Sequence, residues 1–431
     1  MKKPVFSLKN IAGFYVNTLN QLAGKVKGGD AAGDFWRCGR CGTPNPRKSY
    51  LTNCLGCGAR RPADPSGAPR EKSRPWAPNR DRRARIVGAI SLAYAFLILV
   101  VWFLIRFTAE RFSIGTVLLY LPRWPWLIPP LILAFAAWKV QWTRLWLVHA
   151  GTLLCGIQLL MNLSIPIDRL FFPTPVGFKL RVMTLNLYGG QIDVKRVAAL
   201  IERERIDVVC YQEIPAQWAP ATDPLFPTGW SHDSQKRIAS RYPIVSEEPR
   251  LPHDHAGQDL WPLDFARVRV RLPNGDEIDV ASPHLPTARY GLERLARGDF
   301  SWMKLQTNWR WKQFGILVPA LHSTIEDAVI VGGDFNMPSD SPMFNIIKRD
   351  YYFGFDQVGR GCGYTRPASF PWIRIDHILA TPRVHFVWCR VGPDVGSDHL
   401  PLLAEVVVAK SKAVRSAEAE AGTTSPTRTK R

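Results

Sequence analysis

The sequence predicts an α/β fold for the C-terminal half of the chain, preceded by membrane-spanning helices and a small cysteine-rich module. From residue 178 onward, apolar stretches with strand periodicity alternate with a stretch of helical spacing. Before them, residues 86–105 are twenty positions without a charge. Two Cys-x-x-Cys pairs lie near the N-terminus. Since 431 residues exceed what one hydrophobic core usually serves, several modules are expected.

Changes in composition set the boundaries of these modules. Residues 63–85 are rich in proline, arginine and serine, which is typical of a linker. The first residues are basic with scattered apolar positions, so a disordered lead or a weakly amphipathic helix is expected there. The predicted segments are a basic lead (1–33), the cysteine-rich module (34–62), a basic linker (63–85), two to three transmembrane helices (86–165), the α/β domain (178–408) and a disordered tail (409–431).

Local periodicity and turn signals predict the elements of the α/β domain. These are a strand at 179–187, a helix at 193–204, and strands at 207–212, 265–272, 277–281 and 328–331. Asp193 is suited to cap the helix, because an aspartate side chain accepts hydrogen bonds from the free N–H groups of the first turn. The sequence Pro-Asn-Gly-Asp before the strand at 277–281 is a strong hairpin signal.

The apolar runs predict the membrane region. Residues 86–105 match the ~20 residues that a helix needs to cross a bilayer core. Two weaker segments follow at 124–138 and 145–165, for which a buried helical hairpin of a soluble domain is the alternative. Tryptophans cluster at the ends of these segments, as in an interfacial aromatic belt, at Trp124, Trp126, Trp138, Trp142 and Trp146.

The distribution of basic residues predicts the orientation in the membrane. Seven lysines and arginines lie in residues 70–85, directly before the first span, which favours a cytoplasmic N-terminus. Three spans would place the α/β domain outside the cytoplasm, whereas two or four would reverse that. The expected location is the inner or plasma membrane.

Charge and cysteine content narrow the classes of partner. The net charge of +20 favours anionic partners, either nucleic acid or acidic lipid headgroups, although basic flanks that merely orient a membrane protein would give the same balance. Four of the eight cysteines form the two pairs, and the others are scattered. This spacing does not suggest a disulfide-stapled secreted domain.

Polar residues follow the predicted strands at the points where several strands can converge. Six short motifs occur in order: Asn186 in Val-Met-Thr-Leu-Asn, Gln212-Glu213, His284 in Ser-Pro-His-Leu, Asp334 and Asn336 in Gly-Asp-Phe-Asn, Asp376 in Arg-Ile-Asp-His, and Asp398-His399 in Gly-Ser-Asp-His-Leu-Pro. Hydrolysis of a phosphodiester needs a cation, a positioned water and a base, because the negative ester repels nucleophiles. Carboxylate and amide oxygens are the ligands that Mg²⁺ prefers.

Spacing within the motifs assigns further roles. Asp334 and Asn336 are two residues apart, so in an extended chain their side chains point to the same face. Asp398 and His399 are adjacent, so their side chains are expected to diverge. His399 therefore needs another carboxylate to fix its tautomer, and Asp376 is the candidate.

Taken together, the motifs make residues 178–408 resemble the endonuclease/exonuclease/phosphatase superfamily, which includes deoxyribonucleases, abasic-site repair nucleases, sphingomyelinases and inositol-polyphosphate phosphatases. The resemblance implies a four-layered α/β sandwich with the site at one end of two packed sheets. It also implies a role for each motif residue. Glu213 and Asn186 would bind Mg²⁺ or Mn²⁺ with help from Asp398, Asp334 and Asn336 would orient water and phosphate, His284 would contact the scissile phosphate, and His399 oriented by Asp376 would serve as general base or transition-state stabiliser.

Three details qualify the resemblance. Ser282-Pro283-His284 replaces the more usual Asn-Thr-His, so the proline limits the backbone donors near His284. The segment after Glu213 lacks the lysine of repair nucleases, which argues against a DNA-repair role. Ser240-Arg241-Tyr242-Pro243-Ile244 is similar to another block of the superfamily, which is expected to be structural, with Arg241 as the alternative candidate for a phosphate contact.

The cysteine pairs have the arrangement of a tetrahedral zinc site, with Cys38, Cys41, Cys54 and Cys57 as ligands of Zn²⁺. Trp36 and Asn45 make the segment resemble a RanBP2-type zinc finger with an enlarged loop. RNA-binding members of that family place an aromatic residue after the asparagine, where this chain has Pro46. The partner class, RNA or protein, is left open, with protein docking favoured because the stacking platform is missing.

The sequence therefore predicts a membrane-anchored, Mg²⁺- or Mn²⁺-dependent phosphoester hydrolase with a cytoplasmic zinc finger. Its substrate, lipid or nucleic acid, is undecided. One alternative is a nuclease whose finger and basic linker hold RNA or DNA. The other is a non-catalytic membrane scaffold.

Overall fold

The computed structural model describes residues 35–37, 40, 44–46, 78–142, 144–167, 176–188, 191–214, 225, 229–248, 263–322 and 327–410. The four cysteines of the predicted zinc site lie outside these residues, as do the lead 1–33 and residues 411–431 of the predicted tail. The chain forms two compact units, residues 1–77 and 78–431. In the first unit the structure describes one short antiparallel pair, β1 (Phe35–Arg37) with β2 (Pro44–Pro46).

The second unit begins with apolar helices. Helix α1 starts at Pro78, so the last residues of the predicted linker are helical. The elements of this region are α1 (Pro78–Phe103), a π-helical turn (Leu104–Thr108), α2 (Ser113–Tyr120), a 3₁₀ turn (Trp124–Leu127), α3 (Ile128–Lys139), α4 (Leu145–Cys155) and a second π-helical turn (Gly156–Leu160).

Among the described residues, one helix is long and apolar enough by itself to cross a membrane, the 27-residue stretch Arg82–Thr108. The pair Ser113–Tyr120 and Trp124–Lys139 qualifies only as one span bent by 83°, and Leu145–Leu160 is shorter than the usual span. The first predicted span thus has a helix of suitable length, while the second and third stay predictions.

Helices α3 and α4 pack along α1. Trp142, in the turn between α3 and α4, lies against Gly88 near the start of α1, where a Cβ would come within 2.5 Å of the indole ring. Leu160, at the other end of α4, packs in a cluster with Ile98 and Ile105 near the end of α1. The α3–α4 hairpin therefore runs toward the N-terminal end of α1 and returns to its C-terminal end.

The rest of the unit alternates strands and helices. Its first part contains β3 (Phe178–Asn186), α5 (Val194–Glu204), β4 (Val208–Gln212), β5 (Ser231–His232), β6 (Ile238–Ser240), β7 (Ile244–Glu247), β8 (Asp264–Arg271) and β9 (Glu277–His284). Its second part contains α6 (Arg289–Ala296), α7 (Phe300–Ala320), β10 (Val329–Asp334), β11 (Tyr352–Phe353), α8 (Gly354–Val358), β12 (Asp376–Ala380), β13 (Val384–Val391) and β14 (Leu402–Val408).

The strands form two six-stranded sheets that pack face to face. One has the order β11-β12-β10-β9-β8-β7 and the other β13-β14-β3-β4-β6-β5. Val182 and Val208 of the second sheet share a buried core with Val280 and Ile330 of the first. This inter-sheet core fixes the two sheets, and hence their strand ends, relative to one another.

A helix covers the outer face of each sheet. Leu200 of α5 packs against Met183 and Val209 of the second sheet. Phe314 of α7 packs against Val331 of the first sheet. The order helix, sheet, sheet, helix confirms the predicted four-layered α/β sandwich.

The strands and the helix predicted from periodicity are confirmed, with shifts at their ends. Asp193 caps α5 by accepting from the backbone N–H groups of Lys195 and Arg196. The hairpin forms between β8 and β9, with Gly275 at a φ of +87° in its turn. Strand β9 runs three residues past the predicted end at residue 281, to His284. This extension brings His284 to the edge where the other motifs collect.

Candidate active site

All six motifs come together at one end of the sandwich. In the second sheet, parallel β3 and β4 end side by side, with Asn186 paired to Gln212. In the first sheet, Asp334 at the end of β10 is paired with His284 on one side and with Asp376 on the other. The remaining motif residues lie in loops at the same end, namely Glu213 after β4, Asn336 after β10, and Asp398 and His399 before β14.

His399 and Asp376 form a buried pair, as the sequence predicts. The Nδ1 atom of His399 lies 2.9 Å from Oδ2 and 3.2 Å from Oδ1 of Asp376. Both side chains are almost fully buried, with 3% and 1% of their surfaces exposed. The backbone of the histidine is held as well. The backbone N–H of His399 donates to Ser397 Oγ, and that hydroxyl donates to the carbonyl of Asn186. Asp376 therefore fixes the ring with Nε2 directed away from it.

The opposite edge of the His399 ring, which carries Nε2, lies near Asp334. Its Nε2 lies 3.8 Å from Oδ2 of Asp334. Burial alone favours the neutral imidazole, but the negative charges of Asp376 and Asp334, with the hydrogen bond to Asp376, raise the pKa of His399 to about 9. An imidazole between two carboxylates thus holds its proton at neutral pH.

Asp334 is the centre of the hydrogen-bond network. Its Oδ2 accepts from Asn186 Nδ2 at 3.0 Å, and its Oδ1 accepts from the backbone N–H of Asn336 at 2.8 Å. Burial, together with the charge of Asp376, raises the pKa of Asp334. A buried carboxylate beside a second one is destabilised in its charged form unless cations neutralise it.

Asn336 and His284 face each other across the same spot. Asn336 Nδ2 lies 3.4 Å from His284 Nε2 and donates to the carbonyl of Leu285 at 2.8 Å. The side chains of Asp334 and Asn336 do lie together, but the predicted cause, an extended strand through both residues, is wrong. Strand β10 ends at Asp334, and Asn336 has a left-handed φ of 50°. The turn, rather than strand alternation, brings the two side chains together.

Asp398 also reaches the site, which corrects the prediction that its side chain diverges from that of His399. Its Oδ1 lies 3.8 Å from His399 Nε2, too far for a hydrogen bond but on the same side. The reason is that residues 396–399 form a bend before β14, with Gly396 at a φ of +89°, so strand alternation does not apply. Asp398 Oδ2 accepts from Arg366 Nη2 at 2.7 Å.

Asp264 and Arg366 are site residues that the sequence reasoning missed. Asp264 pairs with Arg237 and lies directly opposite His284 in the β8–β9 hairpin, with 3.9 Å between Oδ2 and His284 Nδ1. Burial alone would lower the pKa of His284, but the carboxylates of Asp264 and Asp334 raise it. Counting back from the predicted turn could have found Asp264, whereas Arg366 lies in a loop without a regular pattern.

Arg241 does not belong to this site. It contacts Asp207, just before the start of β4, with 3.5 Å between Nε and Oδ1. Glu213 follows the opposite end of the same strand. The predicted contact between Arg241 and phosphate is therefore wrong for a phosphate bound at the strand ends.

The donor set fits a divalent cation. Among the described residues, Asp334, Asp376 and His399 hold ligand atoms within 4.8 Å of one another, a different trio from the predicted Glu213, Asn186 and Asp398. Asp376, however, is committed to His399 through both oxygens. Glu213 faces the cleft with 39% of its side chain exposed.

The orientation of Asn186 separates two roles for that residue. Its Nδ2 donates to Glu213 Oε1 at 3.0 Å, while its Oδ1, the atom that a cation would need, accepts from the backbone N–H of Tyr188 at 2.8 Å. In this rotamer Asn186 positions the carboxylates. Direct binding of a cation by Asn186 stays a prediction.

A cleft of about 570 Å³ opens over these residues. Glu213, His284 and His399 line one side, and residues of α6 and α7, including Tyr290 and Trp309, line the other. A cleft of this size can enclose a small molecule larger than a phosphate group alone.

Behind the cleft, the helical region touches the catalytic loops through a buried ion network. Arg310 of α7 donates to Glu110 Oε1 at 3.1 Å and to the hydroxyl of Tyr120 at 2.6 Å. The same guanidinium donates to the carbonyls of Asn336 and Pro286, which belong to the loops after β10 and β9. The exposed fractions of the Arg310 and Glu110 side chains are 3% and 0%. The network therefore joins the segment after the apolar helix α1 to the loops that carry Asn336 and His284.

Comparison with known proteins gives a single family. Residues 183–399 match the model of the endonuclease/exonuclease/phosphatase family, which is half of the chain and spans all six motifs. A search of curated proteins found no match.

Solved structures with similar folds have diverse descriptions. An endonuclease/exonuclease/phosphatase from Beutenbergia cavernae is 21% identical, with 54% of this chain and 72% of that chain covered and a TM-score of 0.41. A mannosyl-6-phosphatase from Bacteroides thetaiotaomicron is 16% identical over 53% and 99% of the two chains, with a TM-score of 0.39. Sphingomyelinase C from Streptomyces griseocarneus is 17% identical over 54% and 100%, with a TM-score of 0.36.

Proposed function

Since this chain belongs to the endonuclease/exonuclease/phosphatase family, we propose that it is a membrane-anchored hydrolase that cleaves a phosphoester bond with the help of Mg²⁺ or Mn²⁺. The observation that carries the proposal is the arrangement of the six motifs around one cleft. The His399–Asp376 pair lies on one side of Asp334, and Asn336, His284 and Glu213 lie on the other.

Glu213 is the proposed principal ligand of the divalent cation, with Asn186 beside it and Asp398 contributing an oxygen or a bound water. Two observations support this assignment. Glu213 is the exposed carboxylate of the group, and Asp398 Oδ1 is buried without a hydrogen-bond partner. When bound, the cation neutralises the phosphate and polarises the bond that is cleaved.

The protein's own groups do the rest. Asp376 holds His399 by its Nδ1, so Nε2 is the nitrogen that exchanges a proton within the cleft. Asp334 and Asn336 orient the attacking water and the phosphate, and the ring of His284, whose pKa is raised by its carboxylate neighbours, donates to a phosphate oxygen. Protonated, as at neutral pH, His399 acts as stabiliser of the transition state, whereas the role of general base belongs to the deprotonated ring, which is populated as the pH rises toward its pKa of about 9.

The anchoring role rests on Arg82–Thr108 and on the exposed apolar residues of the helices beside it. Phe96, Leu131 and Leu147 each expose more than half of their surface, 68%, 57% and 72% respectively. Such exposure on neighbouring helices is costly in water and normal in lipid. The N-terminal module is proposed to bind Zn²⁺ through its four cysteines and to dock a protein, or RNA, at the membrane.

The test is metal-dependent turnover by the full chain in nanodiscs, with bis(p-nitrophenyl) phosphate and p-nitrophenyl phosphate as substrates. We expect turnover that needs Mg²⁺ or Mn²⁺ and falls by ~10² or more in Glu213→Ala and His399→Ala. Glu202→Ala, an exposed change on α5, is the matched control and should leave turnover unchanged. The ratio of diester to monoester hydrolysis then separates a diesterase from a phosphatase.

Two other results would redirect the assignment. Cleavage of an oligonucleotide in preference to both small esters, with a steep salt dependence lost on neutralising Arg47, Lys48 and the basic residues of 70–85, would favour the nuclease. A folded chain without metal-dependent turnover above that of Glu213→Ala would indicate a scaffold.

A further inference from the structure

The two sides of the cleft differ in character. The side formed by the strand ends is polar and carries Glu213, Asp334 and His399. The rest of the lining is mixed but rich in apolar groups: Leu263, Phe265, Leu285, Pro286, Tyr290 and Trp309 lie beside the polar Thr287, Gln306 and Gln313. A substrate that fills the cleft therefore joins a phosphate to an apolar group.

The cations of the cleft are already paired. Three arginines line the described part of the cleft, and each has an acidic partner: Arg237 contacts Asp264, Arg366 contacts Asp398 at 2.7 Å, and Arg289 lies 3.6 Å from Glu293. A nucleic acid strand needs cations that follow successive phosphates. The described cleft offers a place for one phosphate rather than for several.

The apolar side adjoins the helical region. Trp309 faces the cleft, while its neighbours Arg310 and Trp311 contact Glu110, with 2.6 Å between Trp311 Nε1 and the Glu110 carbonyl. Glu110 follows Arg82–Thr108, the apolar helix that can span a membrane, by two residues. Since a helix with its side chains is ~10 Å across, the apolar wall lies about one helix diameter from the end of that span.

Polar groups of α7 hold this wall in place, and Gln306 among them also lines the cleft. Gln306 binds the carbonyl of Thr287 and the N–H of Gly291, and Arg310 binds the carbonyl of Pro286. A side chain at Gly291 would collide with Gln306 and Met303. These contacts hold the loop after His284 against α7, so the wall and the catalytic histidine are fixed relative to each other.

From these observations we infer that the cleft binds an amphiphilic phosphoester of the lipid class, with its phosphate at the strand ends and its hydrocarbon part against Tyr290 and Trp309. The inference rests on the proposed hydrolase function and narrows its substrate. The substrate reaches the cleft from the bilayer in which the helices lie.

The test uses p-nitrophenyl diesters that carry methyl, butyl or hexyl groups, with the full chain in nanodiscs and Mg²⁺. A buried methylene is worth about 0.8 kcal/mol, or about fourfold in kcat/KM. We expect kcat/KM to rise at least tenfold from methyl to hexyl. Trp309→Ala and Tyr290→Ala should flatten this rise.

Trp302→Ala is the matched control, because Trp302 lies on the same helix outside the cleft and contacts Arg294. It should keep the full dependence on chain length and also correct for partitioning of the hexyl ester into lipid. A wild-type rate that is independent of chain length, with the methyl ester still hydrolysed, would overturn the inference and leave the hydrolase proposal intact. Preferential cleavage of an oligonucleotide would overturn it as well.

If no ester is hydrolysed, the proposed hydrolase function is wrong, and a binding measurement then tests the apolar subsite by itself. Hexyl phosphate should then raise the thermal midpoint of the wild-type protein and of Trp302→Ala more than methyl phosphate does. The difference should vanish in Trp309→Ala. Equal shifts by both phosphates in the wild type would contradict an apolar subsite.

Discussion

At the scale of single residues, the pair His399–Asp376 gives the clearest prediction. Asp376→Asn preserves the shape of the side chain but removes its negative charge. In the wild type that charge holds the proton on Nδ1 of His399, which lies 2.9 Å from Oδ2 of Asp376. We expect kcat to fall by ~10²-fold or more with little change in KM, since positioned proton transfer contributes on this order. Asp350→Asn, an exposed change elsewhere in the domain, is the control for effects of charge.

Thermal unfolding distinguishes loss of proton transfer from loss of the fold. It should show that Asp376→Asn is folded at the temperature of the kinetic assay. A folded Asp376→Asn protein with the wild-type kcat would show that His399 does not depend on this carboxylate, and the assigned roles of both residues would then be wrong.

A second prediction at this scale concerns the residue that the sequence did not reveal, Asp264. Asp264→Asn should leave the cleft intact, because Asn still accepts from Arg237, but it removes a negative charge 3.9 Å from His284 Nδ1. The pKa of His284 is raised by this carboxylate, so the pH at which His284 loses its proton should move down in the variant, as NMR of the ring would show. An unchanged titration would remove Asp264 from the site.

The residues that sequence reasoning located share one property. Asn186, Glu213 and Asp334 lie at or next to the ends of buried strands, whose positions in the sequence are readable from their apolar residues. Arg366 and the orientation of Asp398 were not predictable, because they depend on loop conformations with left-handed residues and no regular spacing.

At the scale of elements, helix α7 shows why part of the fold escaped prediction. Its buried face includes Gln306, Arg310 and Gln313, so the helix has no continuous apolar stripe for periodicity to find. Gln306 and Arg310 are buried because they bind the loops beside the cleft and, in the case of Arg310, the segment after α1. The buried polar residues that position the loops of the site are therefore the same residues that interrupt the apolar periodicity of the helix.

The ion network of α7 leads to a prediction about stability. Removing one member of a buried ion pair leaves the other uncompensated and costs ~3–5 kcal/mol. Arg310→Met and Glu110→Met should each be strongly destabilising, while the double variant should cost clearly less than their sum. A double-mutant cycle from denaturant unfolding of the full chain measures the difference.

Arg111→Met is the matched control for that cycle, because Arg111 is exposed next to Glu110. Arg310→Met should also lower kcat, since Arg310 binds the carbonyl of Asn336. Strictly additive effects of the two Met substitutions would contradict the coupling between the helical region and the catalytic loops.

At the scale of the whole molecule, the helical region and the sandwich are expected to depend on each other. Besides Glu110 with Arg310, Arg123 binds Asp340 through two contacts of 2.7 and 3.2 Å, with side chains 7% and 14% exposed. A fragment that starts at residue 178 loses Glu110 and Arg123 and leaves Arg310 and Asp340 without these partners. We expect residues 78–410 to unfold at a clearly higher temperature than 178–408 and to be more active. Equal stability would show that the sandwich is autonomous.

The same contacts predict the side of the membrane on which the sandwich lies, whatever the number of spans. Arg106 donates to Asn345 and Glu110 accepts from Arg310, so the sandwich is held at the C-terminal end of the first span. The turn of the α3–α4 hairpin lies against Gly88 of α1. After α4 the chain returns to the other end of the span, where Leu160 packs in a cluster with Ile105. A hairpin that returns, whether it crosses fully or is re-entrant, leaves the chain on the side from which it started.

The sandwich should therefore lie on the side of the membrane opposite the start of α1, which the basic residues before the first span predict to be cytoplasmic. A reporter enzyme that is active only outside the cytoplasm should work when fused after Arg431 and fail when fused after Gln141 in the α3–α4 turn. The opposite pattern would mean that the whole chain is inverted. Activity at neither position would mean that α1 does not cross the membrane, and the proposed access of a lipid phosphoester from the bilayer would lose its structural basis. Activity at both positions would mean that α1 crosses but the α3–α4 hairpin does not.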